Sequence, residues 1–448
     1  MNLKGKIICA IALCGVVSVS LAKKPNIVLI MADDMGYECV GANGSEDYLT
    51  PVIDDLAAEG LRFEQCFANP ICTPSRVKIM TGIYNARNYV SFGKLDRSQT
   101  TFAHLLKEAG YATAIAGKWQ LGSEVDSPQH FGFDEACLWQ HTRGRKRKGG
   151  FDTRYANPQL EINGKEVDYL NGEYGPDICA DFICSFIETN KDKPFFAYYP
   201  MILTHWPFDA TPDSDDWDPK YMGSTTNKGP GDETDQKRHF KDMVQYMDKL
   251  VGRIADALDR AGVRENTLVI IAGDNGTDKP IITQWNDREV VGRKSETVDE
   301  GTRVTMVMSW PGVLQPRVDK TELVEFSDIL PTLCDLAGAA LPKNYPGDGQ
   351  SLTPVMFGKG ERHKKYVCLK YRTTWVRNLN YGILPDKGNS QYIFQKYNGH
   401  YESEDLDFAN MTEKERMIFE ELKPVLDGLK KSVAEKKPKK TKKKKKDA

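Results

Sequence analysis

Asn26-Ile27-Val28-Leu29-Ile30-Met31 runs straight into Ala32-Asp33-Asp34, and the reading of this stretch decides the fold. A short, continuous apolar run is what a strand covered on both faces looks like, and such strands sit in the middle of parallel sheets. The segments around it repeat the pattern. Thr50-Pro51 supplies an N-cap and a first-turn proline for a helix that stops at Gly60, and Leu61 to Phe67 reads as a short strand. Thr100 or Thr101 caps a helix over Phe102 to Ala109, with Gly110 as its stop and Tyr111 to Ala116 as the next strand. A helix from Pro176 to Thr189 leads into Phe195 to Leu203. A long amphipathic helix from Gln236 to Ala261 precedes the strand Thr267 to Ala272, and Arg303 to Trp310 and Ser327 to Ala337 continue as strand and helix. Alternation of this kind predicts an α/β fold, a mixed and largely parallel central sheet sandwiched by helices.

Beyond Ser351 the texture changes to short strands, Tyr366 to Tyr371 and Gln391 to Tyr397, and a last amphipathic helix from Thr412 to Leu429. The expected organisation is a leader over residues 1–22, a catalytic domain over 23–350, a smaller α+β domain over 351–432 and a disordered Lys-rich tail over 433–448. Lys4 and Lys6, an apolar run from Ile7 to Val19 and Ser20-Leu21-Ala22 form an export signal, too short to span a bilayer as a helix. The mature chain is expected to be periplasmic or extracellular, with no transmembrane segment and no nucleic-acid partner. The formal charge of −2 conceals nine lysines between Lys436 and Lys446, so the remaining body is acidic. Eight of ten cysteines lie beyond the leader, with no zinc-like Cys-x-x-Cys spacing among them.

In open α/β sheets, ligands collect beyond the carboxyl ends of the strands. Asp33-Asp34, Lys118, His205 and Asp274-Asn275 each follow a different predicted strand. Asp33, Asp34, Asp274 and Asn275 offer oxygen ligands only, a set suited to a hard divalent cation, with Ca²⁺ preferred over Mg²⁺ because an all-protein cage suits it better. Arg76, Lys118 and Lys294 supply the positive charge that an anionic ester and its transition state need. Cys72-Thr73-Pro74-Ser75-Arg76 opens a further helix.

These segments resemble the sulfatase family, within the alkaline-phosphatase-like superfamily, from Pro25 to about Gly358. The supporting motifs, in the family's order, are Pro25-Asn26-Ile27-Val28, the Cys72 pentad, Gly117-Lys118-Trp119, Thr204-His205-Trp206-Pro207, Gly273-Asp274-Asn275-Gly276, Glu300-Gly301-Thr302-Arg303-Val304, Trp310-Pro311-Gly312 and Pro331-Thr332-Leu333. The resemblance implies that a separate maturation enzyme oxidises Cys72 to formylglycine. Its hydrate attacks sulfur in line with the departing alcohol oxygen, and elimination of sulfate restores the aldehyde. By position, Asp33, Asp34, Asp274, Asn275 and modified Cys72 hold Ca²⁺, Arg76 steadies residue 72, Lys118 and Lys294 grip the sulfate, and His205, with or without Lys294, protonates the leaving oxygen.

Gln120 departs from the pattern, because many members carry histidine two residues after the matching lysine. Glutamine hydrogen-bonds but takes no proton. His141 and His104 are the candidate substitutes. Arg143, Arg145, Lys146, Arg147 and Lys148 form a basic run suited to a polyanion, and with export it points to a sulfated poly- or oligosaccharide as substrate. Two other readings stay open: a phosphoester hydrolase on the same scaffold, and a non-catalytic sulfoglycan-binding protein, motivated by Gln120.

Overall fold

The computed structural model describes residues 23–139, 141–144, 146–225, 232–360, 362–386 and 391–436. The leader, Arg145 and residues 437–448 of the Lys-rich tail lie outside the described residues.

Ten strands form the main sheet, in spatial order Arg317–Asp319, Leu61–Phe63, Met306–Ser309, Thr267–Gly273, Asn26–Ala32, Phe195–Pro200, Ala112–Gly117, Glu135–Trp139, Gln159–Ile162 and Lys165–Asp168. Asn26–Ala32 sits at the centre, parallel to Thr267–Gly273 on one side and Phe195–Pro200 on the other, and every residue of it is buried. Its side chains alternate between two cores, as a period of two requires. Val28, Ile30 and Ala32 face the helices Gly175–Asn190 and Glu233–Arg260, whereas Ile27, Leu29 and Met31 face those at Cys72–Thr81, Phe102–Glu108 and Ile329–Ala337. Met306–Ser309 runs antiparallel to its neighbours, and at the other edge Glu135–Trp139, parallel to Ala112–Gly117, is followed by antiparallel Gln159–Ile162 and Lys165–Asp168. The sheet is therefore mixed.

The stretch from Leu61 to Phe67, expected as one strand, is two. Leu61–Phe63 joins the main sheet, while Cys66–Phe67 pairs with Val324–Glu325. The break falls at Glu64-Gln65, where the Glu64 amide donates to Asp319 O and Gln65 O accepts from Val324, so the chain changes partner in two residues.

A separate five-stranded antiparallel sheet runs Val367–Lys370, Thr374–Arg377, Tyr381–Pro385, Tyr392–Tyr397 and Ser403–Asp405. The Glu413–Lys436 helix covers one face through Phe419, Leu422 and Leu426, and Phe67 and Leu323 of the main body meet Val367, Leu369 and Trp375 on the other. Buried ion pairs cross this seam. Lys364 lies 2.7 Å from both Glu325 and Asp328, and Arg377 meets Asp299, which also takes Arg303 (2.8 Å) within the main body; Lys78, paired with Glu325 in the main body, donates across the seam to Cys368 O (2.7 Å). Leu352 and Met356 pack into the main core, and the antiparallel sheet starts at Val367. Among the described residues, no helix is long and apolar enough to cross a membrane.

Candidate active site

The parallel register of the central strands carries the polar residues to one edge. Where the ladder ends, the Asp33 amide donates to Leu203 O (2.7 Å), the Asp274 amide to Ala32 O (2.9 Å) and the Lys118 amide to Pro200 O (2.8 Å). Four strand ends are thus tied laterally before their side chains diverge. Gly117 permits the approach to Pro200, since a Cβ there would lie 2.1 Å from Pro200 O at a φ of +115°. Asp34, Gln120 and Ser295 also take left-handed backbone (φ 63°, 55° and 70°), strain of order 1 kcal/mol or more each, concentrated at this edge.

Asp33, Asp34, Asp274 and Asn275 are fully buried. Asp33 accepts from Lys118 Nζ (2.5 Å), Asp34 from Lys294 Nζ, and Asp274 from Arg76 Nη2 (3.1 Å), whose Nη1 also donates to Lys118 O (2.9 Å). Asn275 Nδ2 donates to Asp34 Oδ1 (2.9 Å). Cys72 begins a ten-residue helix with every residue buried, and its Sγ lies within 4.8 Å of carboxylate oxygens of both Asp33 and Asp274. His205 Nε2 stands 3.7 Å from Asp34 Oδ2 and 3.3 Å from Lys294 Nζ. Every residue expected at the site from the sequence except Gln120 is joined in this one network. Gln120 stands at its rim, sharing a cleft of about 170 Å³ with Lys118, Lys94, Trp139, His141 and Arg143.

Burial raises the Asp274 carboxyl well above its ordinary value, with Asp33 adding to the rise, and it raises Asp34 to about 6 against the pull of Lys294. At Asp33 burial is overcome by Lys118 and Arg76, and the group is held low. Burial pushes the Cys72 thiol up, which leaves the unmodified side chain a poor nucleophile at neutral pH. The donor set fits a hard cation. Asp33 Oδ1 and Asn275 Oδ1 are buried acceptors with no hydrogen-bond donor, and two further carboxylates and residue 72 adjoin them.

The proposed substitutes for the histidine missing at position 120 are committed elsewhere. His141 places Nδ1 against Glu161 and Nε2 3.2 Å from Glu124 O. His104 closes the capping box of its own helix through Nδ1, and its Nε2 meets His130 O at 2.7 Å. The basic run after His141 is also largely occupied in holding the fold. Arg143 pairs with Asp168 (2.6 Å), Arg147 donates to Asn157 O, and Lys146 donates to Thr225 O (3.1 Å). Sequence reasoning missed Arg154, which is buried against His205. Only its place in Asp152-Thr153-Arg154 marks it, and that spacing has no chemical signature of its own.

The sulfatase family profile matches residues 25–339, and the profile described as N-sulphoglucosamine sulphohydrolase, C-terminal, matches residues 293–437. The chain belongs to the sulfatase family and is an enzyme that hydrolyses sulfate esters. It is 32% identical over 391 residues to arylsulfatase G of Rattus norvegicus, covering 76% of this chain and 70% of the relative. With arylsulfatase A of Homo sapiens it shares 31% over 421 residues, 85% and 76% of the two chains. The solved structure of Ps i-CgsB superposes with a TM-score of 0.71 at 25% identity over 92% of each chain, and that protein has also been solved in complex with k-i-k-neocarrahexaose. A sulfatase from Pseudoalteromonas sp., PsFucS1, shares the fold with a TM-score of 0.64 at 21% identity, over 92% of this chain and 90% of its own.

Proposed function

We propose that this sulfatase removes sulfate from a sulfated poly- or oligosaccharide, using formylglycine at position 72 as nucleophile. The observation that carries the reading is the position of residue 72, at the head of a wholly buried helix and within one ligand shell of Asp33 and Asp274, with three cationic side chains around it. A buried thiol with a raised pKa serves poorly there. A hydrated aldehyde offers two hydroxyls in the same place.

Asp33, Asp34, Asp274, Asn275 and residue 72 would hold Ca²⁺, which supplies charge neutralisation for the attacking hydroxyl and the sulfate oxygens. Lys118 and Lys294 now neutralise Asp33 and Asp34, so a cation taking those carboxylates would release both ammonium groups for the substrate's sulfate. Arg76 bridges Asp274 and the backbone of Lys118, keeping residue 72's helix in register with the neighbouring strand end. His205 faces the same space and would serve the leaving oxygen, with Lys294 beside it. Gln120 holds a buried acceptor, Oε1, without a donor, suited to a hydroxyl of the hydrate or of the sugar.

The carbohydrate reading rests on the cleft beside Lys118, whose lining includes Lys94, Gln120, His141 and Arg143 as polar donors, the two tryptophans Trp119 and Trp139, and no acid. The sugar-bound structure of Ps i-CgsB supports it by likeness. Export through residues 1–22, a catalytic domain over 23–350, a smaller domain over 351–432 and the need for a maturation enzyme complete the proposal. Mass analysis of the peptide containing residue 72, from a host that matures sulfatases, together with a desulfation screen over defined sulfated saccharides, tests it. Formylglycine with saccharide turnover is expected; a thiol throughout in active protein, or turnover of aryl sulfates alone, would overturn it.

A further inference from the structure

Arg154 is buried, and four of the five N–H donors of its guanidinium face a partner. Nε donates to Asp152 Oδ1 (2.9 Å) and Nη2 to Asp152 Oδ2 (3.0 Å), a two-point clamp, while the guanidinium lies 4.6 Å from the centre of the Trp139 ring. That leaves Nη1, which donates to Trp206 O and stands 2.7 Å from His205 Nδ1. A guanidinium has no acceptor and keeps its proton, so the ring nitrogen facing it must present a lone pair.

The competing arrangement is visible in the same place. His205 Nδ1 lies 2.5 Å from Trp206 O, which would accept an Nδ1–H. That tautomer would press an N–H against a guanidinium N–H, and Trp206 O is already served by Arg154. On the far side of the ring Lys294 Nζ stands 3.3 Å from Nε2, a longer contact, and Lys294 has the carboxylates of Asp34 and, at 3.5 Å, Asp278 as acceptors. One in-plane lone pair exists on a neutral imidazole, and the shorter charge-assisted contact takes it.

We propose that Arg154 is a positioning residue that locks His205 in its Nε2–H tautomer, so that His205 meets the departing alcohol oxygen as a hydrogen-bond donor and keeps its own proton, while the proton the alcohol takes up passes from the neighbouring Lys294 ammonium, which becomes the neutral amine. The polarity is the reverse of a histidine oriented by a carboxylate. There the partner holds Nδ1–H and leaves Nε2 as a base; here a cation holds the Nδ1 lone pair and leaves Nε2 carrying a proton. Only the kinetic consequence rests on the sulfate-ester reading, since the tautomer is a property of the free protein.

The test is nitrogen NMR of the full chain labelled at histidine with nitrogen-15, with His205→Gln to assign the resonances. Wild type is expected to show a protonated Nε2 and an unprotonated Nδ1 at His205. Arg154→Met should move the proton toward Nδ1, and Arg154→Lys, which keeps a donor, should preserve the wild-type pattern. A protonated Nδ1 in wild type, or an unchanged tautomer in Arg154→Met, overturns the proposal, and wild type alone decides it if Arg154→Met does not fold. In turnover, Arg154→Met should cost on the order of 10²-fold in kcat/KM with an alkyl or sugar sulfate, at least roughly tenfold more than with nitrophenyl sulfate, whose phenolate leaves without a proton. Equal losses on both substrates would contradict it. No turnover of either substrate by matured wild type would instead count against the sulfatase chemistry and leave the tautomer result standing.

Discussion

Arg76→Met probes the electrostatic frame of the site. Arg76 is 1% exposed, and it donates to Asp274 (3.1 Å) and Lys118 O (2.9 Å) and stands 3.8 Å from Asp33. Methionine keeps much of the volume and removes every donor, which leaves a buried carboxylate and a carbonyl without their partner. Breaking a buried pair in this way costs about 3–5 kcal/mol. With an unfolding entropy of about 2.1 cal/mol/K per residue over ~400 residues, a degree is worth ~0.8 kcal/mol, so the melting temperature should fall by about 4–6 °C. Calorimetry in chelator and in saturating calcium reads the effect. The drop should be largest in chelator and smaller in calcium, because the ion takes the same carboxylates. A midpoint within about 1 °C of wild type in chelator would refute the reasoning.

Cys72→Ala should abolish sulfate-ester hydrolysis in matured enzyme while the circular dichroism and melting profile stay near wild type; turnover near wild type would remove residue 72 from the mechanism. Gln120→His should raise kcat with nitrophenyl sulfate, since the backbone there is left-handed, a region histidine tolerates, and the new side chain adds a proton acceptor beside Lys118. An unchanged or lower kcat would show that another group already performs that step. Burial pushes Asp299 up, but Arg303 and Arg377 overcome it and hold the carboxyl at about 2. A folded-state pKa below the unfolded value near 3.8 means that this pairing stabilises fully above pH ~4 and is lost as pH falls toward 2, an effect of about 2 kcal/mol. Urea midpoints between pH 5 and 2 should therefore fall less steeply in Asp299→Asn than in wild type, and identical slopes would contradict the assignment.

Much of the central sheet was legible because its strands are buried on both faces and read as unbroken apolar runs. Thr267–Gly273 and Phe195–Pro200 have every residue buried, as Asn26–Ala32 does. The short edge strands were not. Gln159–Ile162 and Lys165–Asp168 carry Glu161, Glu166 and Asp168, and their pairing comes from a two-residue turn at Asn163-Gly164 rather than from an apolar pattern. The site was legible wherever a residue followed a strong strand, because register alone carries Asp33, Lys118 and Asp274 together. Arg154 was hidden because it reaches His205 from a loop, and its role depends on a contact 51 residues away that no local spacing encodes. The basic run over 143–148 was over-read. Charge counts do not show that Arg143 and Arg147 have partners within the fold.

Isothermal titration of the chelated, full-length protein with Ca²⁺ bears most directly on the claim that separate strand ends build one cation site beside residue 72. One ion per chain is predicted for wild type, with that binding lost or severely weakened in folded Asp33→Asn and Asp274→Asn. Absence of binding in wild type, or affinity undiminished in both variants, would contradict it.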